Sequence, residues 1–311
     1  MTAVWIILGL LVLLALLSLG LGYYFYRMAV SRAGVKTKEE VPDERWKQHI
    51  KEIEAGADWF WKQNPEFVHI TNREGLTLYG YILTRPDAKR TAVCFHGYRS
   101  APDRDFGASA RTLYEEGCNL LLVDQRAHGR SEGKSLTYGV KERFDVVDWL
   151  AYWTARPEGK LPIYLHGVSM GCATVLMALG QPLPENVRGV IADCGFTSPY
   201  AIFHHILTEN FHLPAFPVLP AAELFVKHLG GFSMKEYSTL DALKTNRIPV
   251  LFIHGEEDTF VPTRMGVENY EACTAEKELF LVPGARHAES WFIDNAGYRR
   301  HVEDFWAKYD G

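Results

Sequence analysis

Serine is a weak nucleophile, and a chain that attacks with one must keep the hydroxyl free of its neighbours and within reach of a base. The stretch Gly167-Val168-Ser169-Met170-Gly171 is built for the first demand. It stands between an apolar run at residues 161–165 and a segment of good helix formers at 172–179, which puts Ser169 on a strand-to-helix turn. A turn that tight asks for a strained backbone at the serine, and glycines on either side remove the side chains that would strike the adjoining strand and helix. The chemistry would be attack on a carbonyl carbon, with Ser169 as the attacking group.

The base and its partner are sought at other strand ends. Residues 248–253 read as a buried strand leading into His254-Gly255-Glu256-Glu257-Asp258, so Asp258 falls in a loop just past its end. Residues 277–282 read as another strand, followed by Pro283-Gly284-Ala285-Arg286-His287 and a helical stretch at 291–306. Loops at one edge of a parallel sheet converge, so a serine, a carboxylate and a histidine far apart in sequence can become neighbours. His287 would then take the serine proton and return it to the leaving group, while Asp258 holds the imidazole in one tautomer. His96, His128, His166 and His254 also end predicted strands and each precedes a glycine; they read as groups that pack and hydrogen-bond in turns. Asp193, after the strand at 187–192, is the competing acid.

With His96-Gly97-Tyr98-Arg99-Ser100 after the third strand and Asp124-Gln125-Arg126-Ala127-His128-Gly129-Arg130-Ser131-Glu132-Gly133 after the fourth, the chain from about Phe67 to Phe305 resembles the α/β-hydrolase family. Within it, the likeness is to bacterial, membrane-anchored, serine-esterase-like members. The resemblance implies an α/β fold with a mostly parallel sheet covered by helices on both faces, and a catalytic triad of Ser169, Asp258 and His287. It also implies an oxyanion hole formed by the backbone N–H of Met170 and one from the loop after the third strand. For that second donor the resemblance points to Tyr98, while spacing alone leaves Gly97 and Arg99 open. Ala127 departs from the family, whose members commonly carry glycine at that turn.

The expected activity is hydrolysis of a carboxylic ester, from a small or lipid-like molecule, through an acyl-enzyme. Thioester and amide hydrolysis and acyl transfer use the same serine chemistry, and the alternative from a different class is an idle hydrolase fold serving as a membrane scaffold. No cofactor is expected. No metal is expected either, since the doublet His204-His205 with His212 reads as packing.

The elements that must position these groups follow from patterning. Strands at 66–71 and 76–83 open a hydrolase domain spanning 66–311, and helices alternate with apolar strands beyond them, as in a parallel sheet with both faces covered. An insert at 198–243, rich in Phe, Leu, His and Pro, reads as a helical cap over the site. Residues 1–26 carry no charged side chain, and Trp5 lies about 27–32 Å along a helix from Tyr23-Tyr24-Phe25-Tyr26, as suits two interfacial belts. This segment is expected to be an uncleaved transmembrane anchor. The link at 27–65 is expected to hold an amphipathic helix with Trp46, Ile50, Ile53, Ala57 and Phe60 on its apolar face and Pro42 in its first turn. Docking of that helix on the hydrolase domain is favoured over lying on the membrane.

Arg27, Arg32, Lys36 and Lys38 all follow the apolar segment, so the positive-inside rule predicts a single-pass protein of the cell membrane with its domain in the cytoplasm. The odd count of five cysteines fits a reducing compartment. A net charge of −5, without basic clusters beyond the membrane flank, argues against nucleic-acid binding. The sequence does not address oligomeric state.

Overall fold

The computed structural model describes residues 1–33 and 48–310, so Lys36, Lys38, Pro42 and Trp46 lie outside the described residues. Eight strands form one sheet: β1 (Glu66–Thr71), β2 (Thr77–Leu83), β3 (Arg90–Phe95), β4 (Cys118–Val123), β5 (Ile163–Val168), β6 (Val187–Asp193), β7 (Val250–Gly255) and β8 (Lys277–Val282). Their order is β1-β2-β4-β3-β5-β6-β7-β8. β2 pairs antiparallel with both β1 and β4, and every pairing from β4 to β8 is parallel. The opening hairpin turns at Asn72, whose Oδ1 accepts the N–H groups of Glu74 and Leu76, with Gly75 at φ 81°.

Alternation along the strands splits the core. Val93 and Phe95 of β3 join Leu121, Val123, Ile163 and Leu165 under the helices Glu142–Thr154 and Met170–Ala178. Ala92 and Cys94 face the other side, with Leu120, Leu122 and Tyr164, beneath the helices Gly107–Glu115 and Asn295–Tyr309. A wholly buried large side chain such as Trp149, Trp153 or Phe305 contributes about 1.5–3 kcal/mol. Several of these together outweigh a local backbone strain of roughly 1–3 kcal/mol at the site.

Several element boundaries differ from the sequence-based expectation, β5 at Ile163–Val168 instead of 161–165 among them. β7 starts at Val250 instead of residue 248, because Pro249 has no N–H for the ladder, and it runs on to Gly255. The helix expected at 291–306 is two: Ser290–Ile293, then Asn295–Tyr309, restarted by Asp294, whose carboxylate accepts the Gly297 N–H at 2.8 Å.

The helix Ile50–Lys62 buries Ile53 and Phe60 and lies on the helix Gly107–Glu115 so closely that a Cβ on Gly56 would strike the Gly107 carbonyl. The insert after β6 is helical, with Pro199–His205, Ala215–Phe225 and Thr239–Leu243. The helix Thr2–Phe25 continues to Val30; with a mean hydropathy of 2.8 over its most apolar 18 residues, it is long and apolar enough to cross a membrane. Its far end does not stand clear of the domain. Tyr26, Ala29 and Val30 are buried in one apolar cluster with Tyr138, Met170, Phe196 and the insert residues Leu207, Val218 and Val226. The next residues are tied down as well: Val30 O accepts the Leu136 N–H, and Arg32 donates to the carbonyls of Gly129 and Ser131.

Candidate active site

β5 ends at Val168, and Ser169 takes φ 57°, ψ −114° before the helix starts at Met170. Both flanking glycines are needed for that turn. A Cβ on Gly167 would meet the Gly171 carbonyl, and one on Gly171 would run into the Phe95 carbonyl of the adjacent strand. The Ser169 N–H donates to Asp193 O at 2.9 Å, which ties the turn to the end of β6.

Asp258 and His287 reach the same edge from the loops after β7 and β8. His287 Nε2 lies 2.9 Å from Ser169 Oγ, and its Nδ1 lies 2.7 Å from Asp258 Oδ2. The carboxylate is held from its other side, where Oδ1 accepts the N–H groups of Phe260 and Val261. Burial pushes the Asp258 carboxyl up, but the neighbouring His287 and His254 outweigh it and hold the group well below the ordinary carboxylate range. An anionic Asp258 fixes the tautomer: His287 carries its proton on Nδ1, and Nε2 is left to accept the serine O–H.

His254 is a partner that sequence reasoning did not anticipate. Its Nε2 donates to Val261 O at 2.9 Å and lies 3.2 Å from Asp258 Oδ2, so two histidines face one carboxylate. Its spacing of four residues from Asp258 is visible in the sequence, but the contact depends on the loop folding back beside β7. Of the other three histidines before glycines, His128 lies in a turn and His96 just past β3, whereas His166 stands within β5 and not in the expected turn. His96 Nδ1 meets Gly97 O, His128 Nδ1 meets Arg126 O, and His166 Nε2 meets the Tyr298 hydroxyl. Burial pulls both His128 and His166 down to about 3, which keeps those rings neutral.

Asp193 makes no hydrogen bond to His287 among those between described residues, and its carboxyl is buried and pushed up to about 6 by desolvation, against the pull of His254 and the Tyr298 hydroxyl. The Cys194 thiol lies within 4.8 Å of the polar atoms of Asp258 and His287. Burial raises it well above its ordinary value, so it stays a neutral packing group beneath the pair. His205 turns to Thr259 O at 3.0 Å.

The loop after β3 separates three candidate oxyanion donors that spacing leaves equivalent. The Gly97 N–H is engaged by Asp105 Oδ2 at 2.6 Å, and the Arg99 N–H by His128 Nε2 at 3.2 Å. Neither the Tyr98 N–H nor the Met170 N–H donates to a hydrogen-bond acceptor among the described residues, and both residues border the cavity that Ser169 opens into. That cavity measures about 250 Å³ and is almost entirely apolar. Its walls come from the insert, through Phe203, Phe211 and Leu219, and from the N-terminal helix, through Phe25, Met28 and Ala29. Ala127, where the family commonly has glycine, does adopt a left-handed φ of 61°.

Comparison with known proteins agrees with this architecture. A family model for the alpha/beta hydrolase fold matches residues 93–232. The chain is 29% identical over 236 residues to YqkD of Bacillus subtilis, an uncharacterised protein, covering 76% of this chain and 77% of that one. It is 27% identical over 252 residues to bem46 of Schizosaccharomyces pombe, covering 79% and 77%. Among solved structures, an esterase from Pyrococcus furiosus superposes with a TM-score of 0.67 at 23% identity, covering 81% of this chain and 94% of that one. The sheet order, the turn at Ser169 and these likenesses together give the chain the alpha/beta hydrolase fold.

Proposed function

We propose that this protein is a membrane-anchored serine hydrolase that cleaves carboxylic esters through an acyl-enzyme. One observation carries the reading: Ser169 Oγ, His287 and Asp258 form a continuous hydrogen-bonded chain of 2.9 and 2.7 Å at the carboxyl edge of the sheet. As Ser169 Oγ attacks the ester carbonyl carbon, His287 Nε2 takes its proton, and the imidazolium that forms is stabilised by Asp258. The N–H groups of Tyr98 and Met170 meet the oxyanion; losing one such donor typically costs about 3–4 kcal/mol. Collapse expels the alcohol, which takes the proton from His287, and a water activated by the same nitrogen releases the acid. The esterase likeness of the fold and the apolar cavity beside Ser169 support an ester with an apolar part.

The apolar helix is the anchor in this reading, with the catalytic domain on the cytoplasmic side; Arg27 and Arg32 beyond the span support that orientation. The test of the chemistry is labelling of the full chain with a fluorophosphonate and mapping of the adduct by mass spectrometry. Labelling at Ser169 that disappears in Ser169→Ala and His287→Ala is expected, and an unlabelled but folded wild-type protein would refute the reading. The full chain is required, because removing the N-terminal segment also removes Phe25, Met28 and Ala29 from the cavity wall. Protease digestion of the domain in inside-out vesicles, but not in intact cells, is the expected outcome for the orientation.

A further inference from the structure

We propose that the membrane-proximal end of the N-terminal helix, Phe25 to Val30, is a wall of the substrate pocket and sets its specificity, and that the pocket takes an apolar acyl chain entering from the bilayer. The inference rests on the serine-hydrolase reading and adds the substrate class.

Three independent observations lead to it. The first is continuity. The helix that is apolar enough to span a membrane is the same helix that supplies Phe25, Met28 and Ala29 to the cavity holding Ser169. Its seat is built in detail: Tyr98 and Arg99 both donate to Met28 O at 3.2 Å, and the Tyr138 hydroxyl donates to Ala29 O at 2.8 Å. The loop that presents the Tyr98 N–H is thereby tied to the end of the span.

The second is depth. Gly22 is buried against the insert helix Ala215–Phe225, where an added Cβ would stand 2.7 Å from the Ala221 carbonyl carbon. Ser18 is buried too. The stretch clear of the domain, Thr2 to Leu17, is about 24 Å long, less than the roughly 30 Å of a hydrocarbon core. A helix that spans therefore draws the insert down into the interface. The insert is suited to that position, since Phe216 is 77% exposed and Leu224 and Leu229 are exposed as well.

The third is the mouth. Phe25 and Phe211 meet edge to face at 5.3 Å, and both line the cavity, while Phe211 is also 44% exposed. This pair stands where cavity, insert and anchor come together, so an amphiphile need not leave the interface to bring its carbonyl to Ser169. The lining of the cavity is almost entirely apolar, which suits the acyl chain of such an amphiphile.

The experiment uses the full chain in phosphatidylcholine nanodiscs and a series of p-nitrophenyl esters from acetate to palmitate. The wild-type protein is expected to prefer esters of longer acyl chains to acetate. Ala29→Trp, which fills the wall, should lower the octanoate-to-acetate ratio of kcat/KM at least about tenfold, mainly through KM. Phe25→Ala, a milder change at a half-buried ring, should move the preference to longer chains. An anchor whose residues 2–15 are exchanged for an unrelated apolar stretch should keep the wild-type profile. Ratios within about twofold of wild type in both wall variants overturn the proposal.

Binding of a dansyl-labelled fatty acid to Ser169→Ala separates this inference from the reading beneath it, because binding needs no chemistry. Weakening by Ala29→Trp in that background upholds the pocket even if hydrolysis proves independent of Ser169. Unchanged binding sinks the pocket while Ser169-dependent hydrolysis continues.

Discussion

Gly22 of the apolar N-terminal helix touches Ala221 of the insert with no room between them for a side chain, since a Cβ there would lie 2.7 Å from both the Ala221 carbonyl carbon and the Ala222 nitrogen. Close approach of two helices through small residues is a packing device that works in lipid as well as in water. Gly22→Leu should force the helices apart at a cost of about 1–3 kcal/mol. Faster hydrogen exchange across Ala215–Phe225, with the strands of the sheet unaffected, is the expected signature. Unchanged exchange in that helix would mean that anchor and insert are not coupled.

Asp258 and Asp193 both end strands at the catalytic edge, yet only Asp258 reaches His287, at 2.7 Å. Asp258→Asn should lower kcat about 10⁴-fold, because the amide no longer enforces the tautomer that leaves Nε2 free. Asp193→Asn should retain most activity. Ester hydrolysis by the two purified variants checks this, and the reverse ranking would move the acid to β6.

The Asp193 carboxyl is pushed up to about 6 by burial, whereas the unfolded chain titrates near 3.9. Between these values the folded protein binds more protons than the unfolded one, so this group makes stability fall as pH rises from about 4 to about 6. The loss amounts to about 3 kcal/mol and is complete above pH 6. Asp193→Asn removes the titration, so the Tm of the variant should gain on that of wild type between pH 4.5 and 7.5. A constant Tm difference over that range would contradict it.

Arg126 and Asp145 form a buried pair, with Nε to Oδ2 at 2.6 Å and Nη2 to Oδ1 at 2.7 Å, beneath the turn that carries Ala127. Arg126→Met leaves the Asp145 charge with Asn72 as its one remaining side-chain hydrogen-bond donor among the described residues and should cost about 3–5 kcal/mol. Adding Asp145→Leu should recover much of that loss, because two apolar groups leave no buried charge behind. Thermal unfolding of both variants decides the matter: no recovery in the double variant would mean that the pair does more than balance charge.

Much of the site was legible because its elements announce themselves locally. Glycines at 167 and 171 mark a turn whose geometry demands them, and β1 and β8 match the strands expected from patterning at 66–71 and 277–282. The split at Asp294 was not legible, because an aspartate that ends one helix and caps the next looks like any polar residue on a helix surface. The choice among Gly97, Tyr98 and Arg99 stayed open for a related reason: it turns on which N–H groups Asp105 and His128 occupy.

The sequence by itself determined the order and type of the elements, the turn at Ser169 and the presence of one long apolar helix, since each rests on periodicity or steric rules acting over a few residues. Only the tertiary structure decided that His254 shares Asp258 with His287, that the Tyr98 N–H finds no acceptor among the described residues, and that the end of the apolar helix enters the cavity beside Ser169. Those relationships join residues tens to more than a hundred positions apart, or depend on how a loop folds back on itself. They arise from how apolar surfaces cover one another, which no local pattern encodes.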